Sequence, residues 1–145
     1  MNDSVKLPVW FWIVAAAFLV WNAIGIFFFY TQITMSPAEM VSTMGQASAD
    51  SFAMMPHWQW WAYGIAVWGG TFAGIALLLR RAWAQPLFLI SLIAVVIQYG
   101  YSFGVLRIQN ILGWGNAAPL PIFIIVMAAL GLWFSGWAKR KGWLR

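Results

Sequence analysis

Four long apolar runs dominate the chain, separated by polar stretches of unequal length. The runs cover Val9–Thr31, Trp60–Leu79, Pro86–Leu106 and Pro119–Ala138, and none contains Asp, Glu, Lys, Arg or His. An α-helix rises about 1.5 Å per residue, so about 20 such residues cross the roughly 30 Å hydrocarbon core of a bilayer. Small residues recur at helical spacing. The pattern predicts an all-α membrane protein, a single four-transmembrane-helix bundle over residues 1–145. The turn RRAWAQP is short and makes the second and third runs a hairpin. The stretch from Gln32 to Gln59 is the longest connection. Within it, SPAE at 36–39 is a helix-start signal. Ser36 suits the cap, Pro37 the first helical position, and Glu39 closes a capping box. A short helix is expected over 37–47, lying on the outer membrane surface.

Composition agrees with the pattern. The chain is 63% hydrophobic and 8% charged, with a mean hydropathy of +0.80. A soluble domain carries roughly 25% charged residues. The first apolar run exceeds the roughly 7–15-residue core of a signal peptide and lacks an A-x-A site, so it is expected to stay as a span. There is no Cys, which removes disulfides, thiolate metal sites and cysteine nucleophiles together.

The charges supply an orientation. Lys6, Arg80, Arg81, Lys139, Arg140, Lys141 and Arg145 fall on one side of a four-span topology, and Arg107 alone falls on the other with Glu39 and Asp50. Basic residues collect on the cytoplasmic side. Both termini are therefore expected in the cytoplasm of a bacterium, with the protein in its inner membrane. The net charge of +5 reads as topology, and nucleic acid is not an expected partner. The tail KRKGWLR is expected to meet anionic headgroups of the bilayer, with Trp143 at the interface. Most of the 12 Trp lie near span ends, as in an aromatic belt, whereas Trp21, Trp68 and Trp133 lie inside spans.

Candidate chemistry centres on two amides inside the spans. Ala15, Phe18, Asn22, Gly25, Phe29 and Gln32 share one helical seam of the first span. Ser91, Ala94, Gln98 and Tyr101 share one in the third. Asn22 and Gln98 sit equally far into spans of the same direction. An amide left unpaired in hydrocarbon costs several kcal/mol, roughly 2–7, so an interhelical Asn22–Gln98 hydrogen bond is the simplest expectation. The alternative is a small polar cavity lined by Asn22, Gln32, Gln98 and Tyr101. Amides with aromatic faces would suit a neutral polyol or sugar. Small residues mark the packing faces: Gly25 in the first span, Ala66, Gly70 and Gly74 in the second, Gly100 and Gly104 in the third, and Gly131 in the fourth. GTFAG at 70–74 is a GxxxG match.

Several chemistries lose their usual residues. Without an ionisable group in any span, proton-coupled antiport, voltage sensing and a retinal Schiff base are not expected. His57 is the sole His, so a haem with two axial histidines has no second ligand, and no cofactor is expected. No nucleophile stands near a base, and the chain is not expected to be an enzyme. Five of seven Met fall in the long loop. Met40 and Met44 are spaced i, i+4, and Met54–Met55 adjoin His57. Thioether and imidazole suit Cu(I), so Met40, Met44 and His57 are candidate metal ligands. The same methionines would also serve as an adaptable docking surface.

WN at 21–22, QITMSP at 32–37, LLLRRAWAQPLFLISL at 77–92, VIQ at 96–98 and the tail ending GWLR resemble a group of small four-span bacterial membrane proteins that carry a sugar-transporter-like label. The resemblance implies a four-span fold and, through the label, a sugar-like solute. Sugar half-transporters use three spans and a Pro-Gln motif. This chain has Gln85-Pro86 in the reverse order, so no site residue is carried over. Three functions follow in order of expectation. The first is a small accessory or interaction subunit, with a membrane protein or a second copy as partner. The second is a passive carrier of a neutral polar solute working as an oligomer. The third is Cu(I) binding by the loop.

Overall fold

The computed structural model describes residues 7–144. Of the basic residues used for orientation, Lys6 and Arg145 lie outside the described residues. The elements in order are α1 (Val9–Thr34), α2 (Pro37–Met44), α3 (Gln46–Ala53), α4 (His57–Leu78), α5 (Ala84–Gly104), α6 (Ile108–Leu112), α7 (Trp114–Ala117) and α8 (Pro119–Arg140). No strand occurs among the described residues. Helices α1, α4 and α5, and α8 together with α7, are long and apolar enough to cross a membrane. Many large apolar side chains point outward, including Val9, Ile13, Trp61 and Val105. An apolar exterior of this kind is incompatible with water as the only solvent, and it supports a multi-pass helical membrane bundle.

Local chemistry sets the boundaries. Pro37 disfavours helical backbone at Ser36, so α1 stops before it and α2 starts after it. Ser36 and Glu39 form the capping box: the Glu39 N–H donates to Ser36 Oγ at 3.2 Å, and the Ser36 N–H to Glu39 Oε1 at 3.4 Å. The loop helix ends earlier than the 37–47 expected. Gly45 has φ +92°, a conformation that glycine adopts without a Cβ penalty. It breaks the segment into two helices, α2 and α3.

Helices α4 and α8 end at the same end of the bundle, in matching turns. The Arg80 N–H donates to Leu77 O at 3.0 Å and the Arg81 N–H to Ala76 O at 2.8 Å. The Gly142 N–H donates to Lys139 O at 3.0 Å and the Trp143 N–H to Ala138 O at 3.0 Å. Both are Schellman closures. Arg80 holds φ +56°, where a non-glycine residue costs about 1–2 kcal/mol. Its guanidinium offsets part of that cost, since Nε donates to Trp143 O at 3.0 Å. That bond draws the α4–α5 turn and the C-terminal segment together, so Arg80, Arg81, Lys139, Arg140 and Lys141 gather at one end, called here the terminal end. The opposite, loop end carries α2, α3, α6 and α7.

The long helices pack in chain order: α1 on α4, α4 on α5, α5 on α8. The ring is closed between α1 and α8 by large aromatics, with Trp10–Trp137 at 5.7 Å, Phe18–Phe134 at 6.2 Å and Trp21–Phe123 at 5.0 Å between ring centroids. The main core lies at the terminal end around Phe11, Phe18, Leu77, Phe88 and Phe134. A smaller one surrounds Ala66, Ala94 and Val95.

Most of the expected packing residues do pack. A Cβ on Gly74 would meet Leu19 Cα at 3.0 Å, one on Gly25 would meet Val67 Cγ1 at 3.2 Å, and one on Gly131 would meet the Phe88 ring at 2.5 Å. Ala66 is buried against α5, and Gly70 lies under Asn22. Gly100 and Gly104 have no packing partner among the described residues. A Cβ at either would meet nothing within 4 Å, and both are exposed. They lie on the face of α5 turned away from the other long helices.

Candidate ligand-binding cavity

A cavity of about 490 Å³ opens inside the bundle. All eight helices contribute to its wall, and no Asp, Glu, Lys, Arg or His does. Most of the wall is apolar. Helix α5 faces the cavity with Ser91, Val95, Gln98, Tyr99 and Ser102. These positions step by 4, 3, 1 and 3, which is one stripe of an α-helix.

The stripe explains where the expected residues stand. Asn22, Gln32 and Gln98 all line the cavity. Tyr101 does not. It lies off the stripe, and its ring meets Trp58 edge-on at 4.8 Å. Tyr99 occupies the wall instead. The expected Asn22–Gln98 hydrogen bond is also not formed. Asn22 Nδ2 donates to Phe18 O, one turn back in its own helix, at 2.8 Å. Its Oδ1 stands over Gly70, where any Cβ would collide with it. Helix α1 therefore satisfies part of its own amide through the local bonding open to Asn, without reaching across the bundle.

Gln98 is the unusual group. Its side chain is only 6% exposed, lines the cavity, and makes no hydrogen bond among the described residues. Its backbone carbonyl accepts from Gln59 Nε2 at 2.8 Å. Gln59 Nε2 also donates to Ser102 Oγ at 2.5 Å. With its lone pair engaged, the Ser102 hydroxyl keeps its own proton for donation. Ser91 Oγ donates to Ala66 O at 2.7 Å. The Tyr63 hydroxyl donates to Gln32 Oε1 at 2.8 Å. The cavity thus presents one free amide, at Gln98, and one unpaired half each of three others, at Asn22, Gln32 and Asn116.

Gln59 was not singled out from the sequence. It is fully buried, and its Oε1 has no partner. The signal was a single amide within HWQWW, a stretch that otherwise looks like an interfacial aromatic belt.

A second, larger recess of about 850 Å³ runs along α1 and α4 beneath α2 and α3. Gln32 and Phe52 line both the recess and the cavity. The candidate metal ligands are divided between the two: Met40 and His57 line the recess, and Met44 lines the cavity. No group of three or more His, Cys, Asp or Glu that could hold a metal occurs among the described residues. Of the span-interior tryptophans, Trp21 lines the cavity and Trp68 the recess. Trp133 lines neither and stacks on Trp137 at 6.1 Å.

Comparison of the chain with protein-family models, with curated proteins and with solved structures yields no match. The chemistry of the cavity therefore rests on its own residues. It offers hydrogen-bond donors and acceptors, apolar and aromatic surface, and phenols as its sole ionisable groups. Such a wall can hydrogen-bond and pack against a small molecule.

Proposed function

We propose that the bundle binds a neutral, largely apolar small molecule in this cavity, as a membrane-embedded carrier or binding protein. The carrying observation is Gln98, a buried amide facing open space without a partner. A ligand hydrogen bond to that amide contributes roughly 0.5–1.5 kcal/mol. A ligand pocket is typically about 300–1,000 Å³, mainly apolar, with a few placed polar groups, and this cavity has those features. The apolar share of the wall favours a molecule with one or two polar groups over a sugar, whose every hydroxyl would need a partner. The test is native mass spectrometry of protein extracted with its surrounding lipid. A bound nonlipid mass in the wild type, lost in Gln98→Leu, is the expected result. An unchanged bound mass in Gln98→Leu, or none in the wild type, overturns the reading.

Both termini are assigned to the cytoplasmic side of a bacterial inner membrane, with α2 and α3 on the opposite surface. Support comes from the basic groups that the Arg80–Trp143 bond gathers at the terminal end. Because the chain has no Cys, single cysteines at Ser42 and Lys141 give a clean labelling test. Opposite accessibility to an impermeant thiol reagent is expected, with Ser42→Cys labelled from outside.

One observation favours a second reading, an interaction subunit. Gly100 and Gly104 form a GxxxG pair exposed on α5 with nothing packed on them. Such a pair admits a close helix partner. Native mass spectrometry reads this too. A stoichiometric second subunit, or a second copy, lost on Gly100→Leu would establish it.

A further inference from the structure

The recess and the cavity share a wall, and the wall is built almost entirely of rings. Phe52 stacks on Trp60 at 5.7 Å, Trp60 on Tyr63 at 6.0 Å, and Phe29 meets Tyr63 at 4.9 Å. One polar contact is embedded in it: Tyr63, on α4, donates to Gln32, on α1, at 2.8 Å. On one side of that contact is the uncharged cavity. On the other is the recess, whose long walls are the apolar outer faces of α1 and α4. Ile33 and Ile65 lie there and are exposed. Ile65 and Trp68 line the stretch of the recess along α4, whereas Gln46, Asp50 and His57 line the part under α2 and α3; in a bilayer the first part would face hydrocarbon and the second the membrane surface.

We propose that the recess is an entry site for a ligand dissolved in the bilayer, and that the Gln32–Tyr63 pair is the latch between it and the cavity. The inference rests on the cavity being a binding site, and it adds the route and the ligand class: a neutral amphiphile that arrives through lipid. Three features support it. Gln32 and Phe52 already belong to both spaces, so moving either joins them. The barrier is made of side chains, which rearrange faster than helices move apart. Its one hydrogen bond can be exchanged for one to a passing ligand, so opening need not leave the Tyr63 hydroxyl or the Gln32 amide unpaired in hydrocarbon. Gly64 lines the recess directly below Phe29, where a Cβ would already meet Phe29 Cζ at 3.2 Å. The ring of Phe29 therefore lies close on α4 and closes the gap between the two helices.

The experiment uses the full chain in lipid nanodiscs with the neutral fluorophore N-phenyl-1-naphthylamine, read by energy transfer from the protein's tryptophans in stopped flow. An interhelical hydrogen bond is worth little in a membrane, so removing the latch should change rates by roughly three- to tenfold. Tyr63→Phe is expected to raise binding and release rates together by that factor. Ile65→Trp, which fills the recess without touching the cavity, is expected to slow both rates at unchanged Kd. Unchanged rates in either variant would overturn the route. Failure of the cavity itself looks different: equilibrium transfer would be equal in wild type and Gln98→Leu, and the route would fall with it.

Discussion

The two ends of the bundle use the same four long helices and fill the space between them in opposite ways. At the terminal end, Phe11, Phe18, Phe88 and Phe134 meet around Ala15, Ala73 and Ala76, all buried. Ring contacts bind three of the helices there, for example Phe18–Phe88 at 5.4 Å and Phe11–Phe134 at 5.8 Å. At the loop end, the central aromatics give way to a stripe of Ser91, Gln98 and Ser102, and open space remains. In a membrane the hydrophobic effect does not hold helices together; packing does. The ring-filled end is then the part that sets stability, and the open end is the part free to bind. The contrast teaches that the cavity is affordable only because the other half is dense.

The largest effect tests that division directly. Phe134 touches Trp10, Phe11 and Phe18, so Phe134→Ala should lower stability by about 3 kcal/mol, the low end for such truncations, because it removes packing without exposing the site to water. Thermal unfolding in mild detergent would show it. A comparable loss from truncating Leu120, in the cavity wall, would erase the distinction between the ends.

Next comes the helix contact below the cavity. Gly74 approaches the α1 backbone at Leu19, where a Cβ would lie 3.0 Å from Cα and 3.2 Å from N. Backbone cannot swing aside. Gly74→Val should force α1 from α4 and cost about 1–3 kcal/mol, again read by unfolding. A variant as stable as wild type would mean that α1 is not held by this ridge.

The third expectation has the opposite sign. Gln98→Leu replaces an unpaired buried amide with an apolar side chain of similar size. Stability should rise by about 1 kcal/mol while ligand binding is lost. A fall in stability would show that the amide is structural glue, and that the unpartnered geometry is not what the protein adopts in a bilayer.

The fold was more legible than the site, and particular residues show why. Apolar length alone located the long helices, and SPAE located the start of α2 to the residue. Gly45 was visible but not read, because a glycine inside a helical pattern is only sometimes a break. Helix α3 was lost with it. In the site, helical spacing placed Asn22 and Gln98 toward the interior, where both line the cavity. It did not say how far round α5 the interior extends, which is why Tyr101 was named and Tyr99 was not. That boundary is set by where α4 and α8 sit against α5, which no single helix encodes. Gln59 was hidden for a related reason. Its burial comes from Gln98 and Ser102 on another helix, and its own neighbours in sequence are tryptophans suited to an interface. Gly100 and Gly104 were legible as a packing face but not as an inner or outer one, because GxxxG carries no address for its partner.

The smallest stability effect separates site from scaffold most sharply. At Gly70 the three atoms nearest a Cβ all belong to the Asn22 amide, with Oδ1 the closest. A side-chain tip can turn away. Alanine also favours helix over glycine by about 1 kcal/mol, which offsets the lost Asn22 Nδ2–Phe18 O bond. Gly70→Ala should therefore change stability by less than about 0.5 kcal/mol, whereas Gly74→Val, one helical turn away, is costly. Ligand affinity should still fall, by roughly fivefold for one neutral hydrogen bond, because Oδ1 no longer faces the cavity in the same direction. Equilibrium energy transfer from tryptophan to the neutral fluorophore, beside a melting curve, gives both numbers. Affinity and stability that fall together would make Asn22 part of the scaffold; affinity that falls alone makes it part of the site.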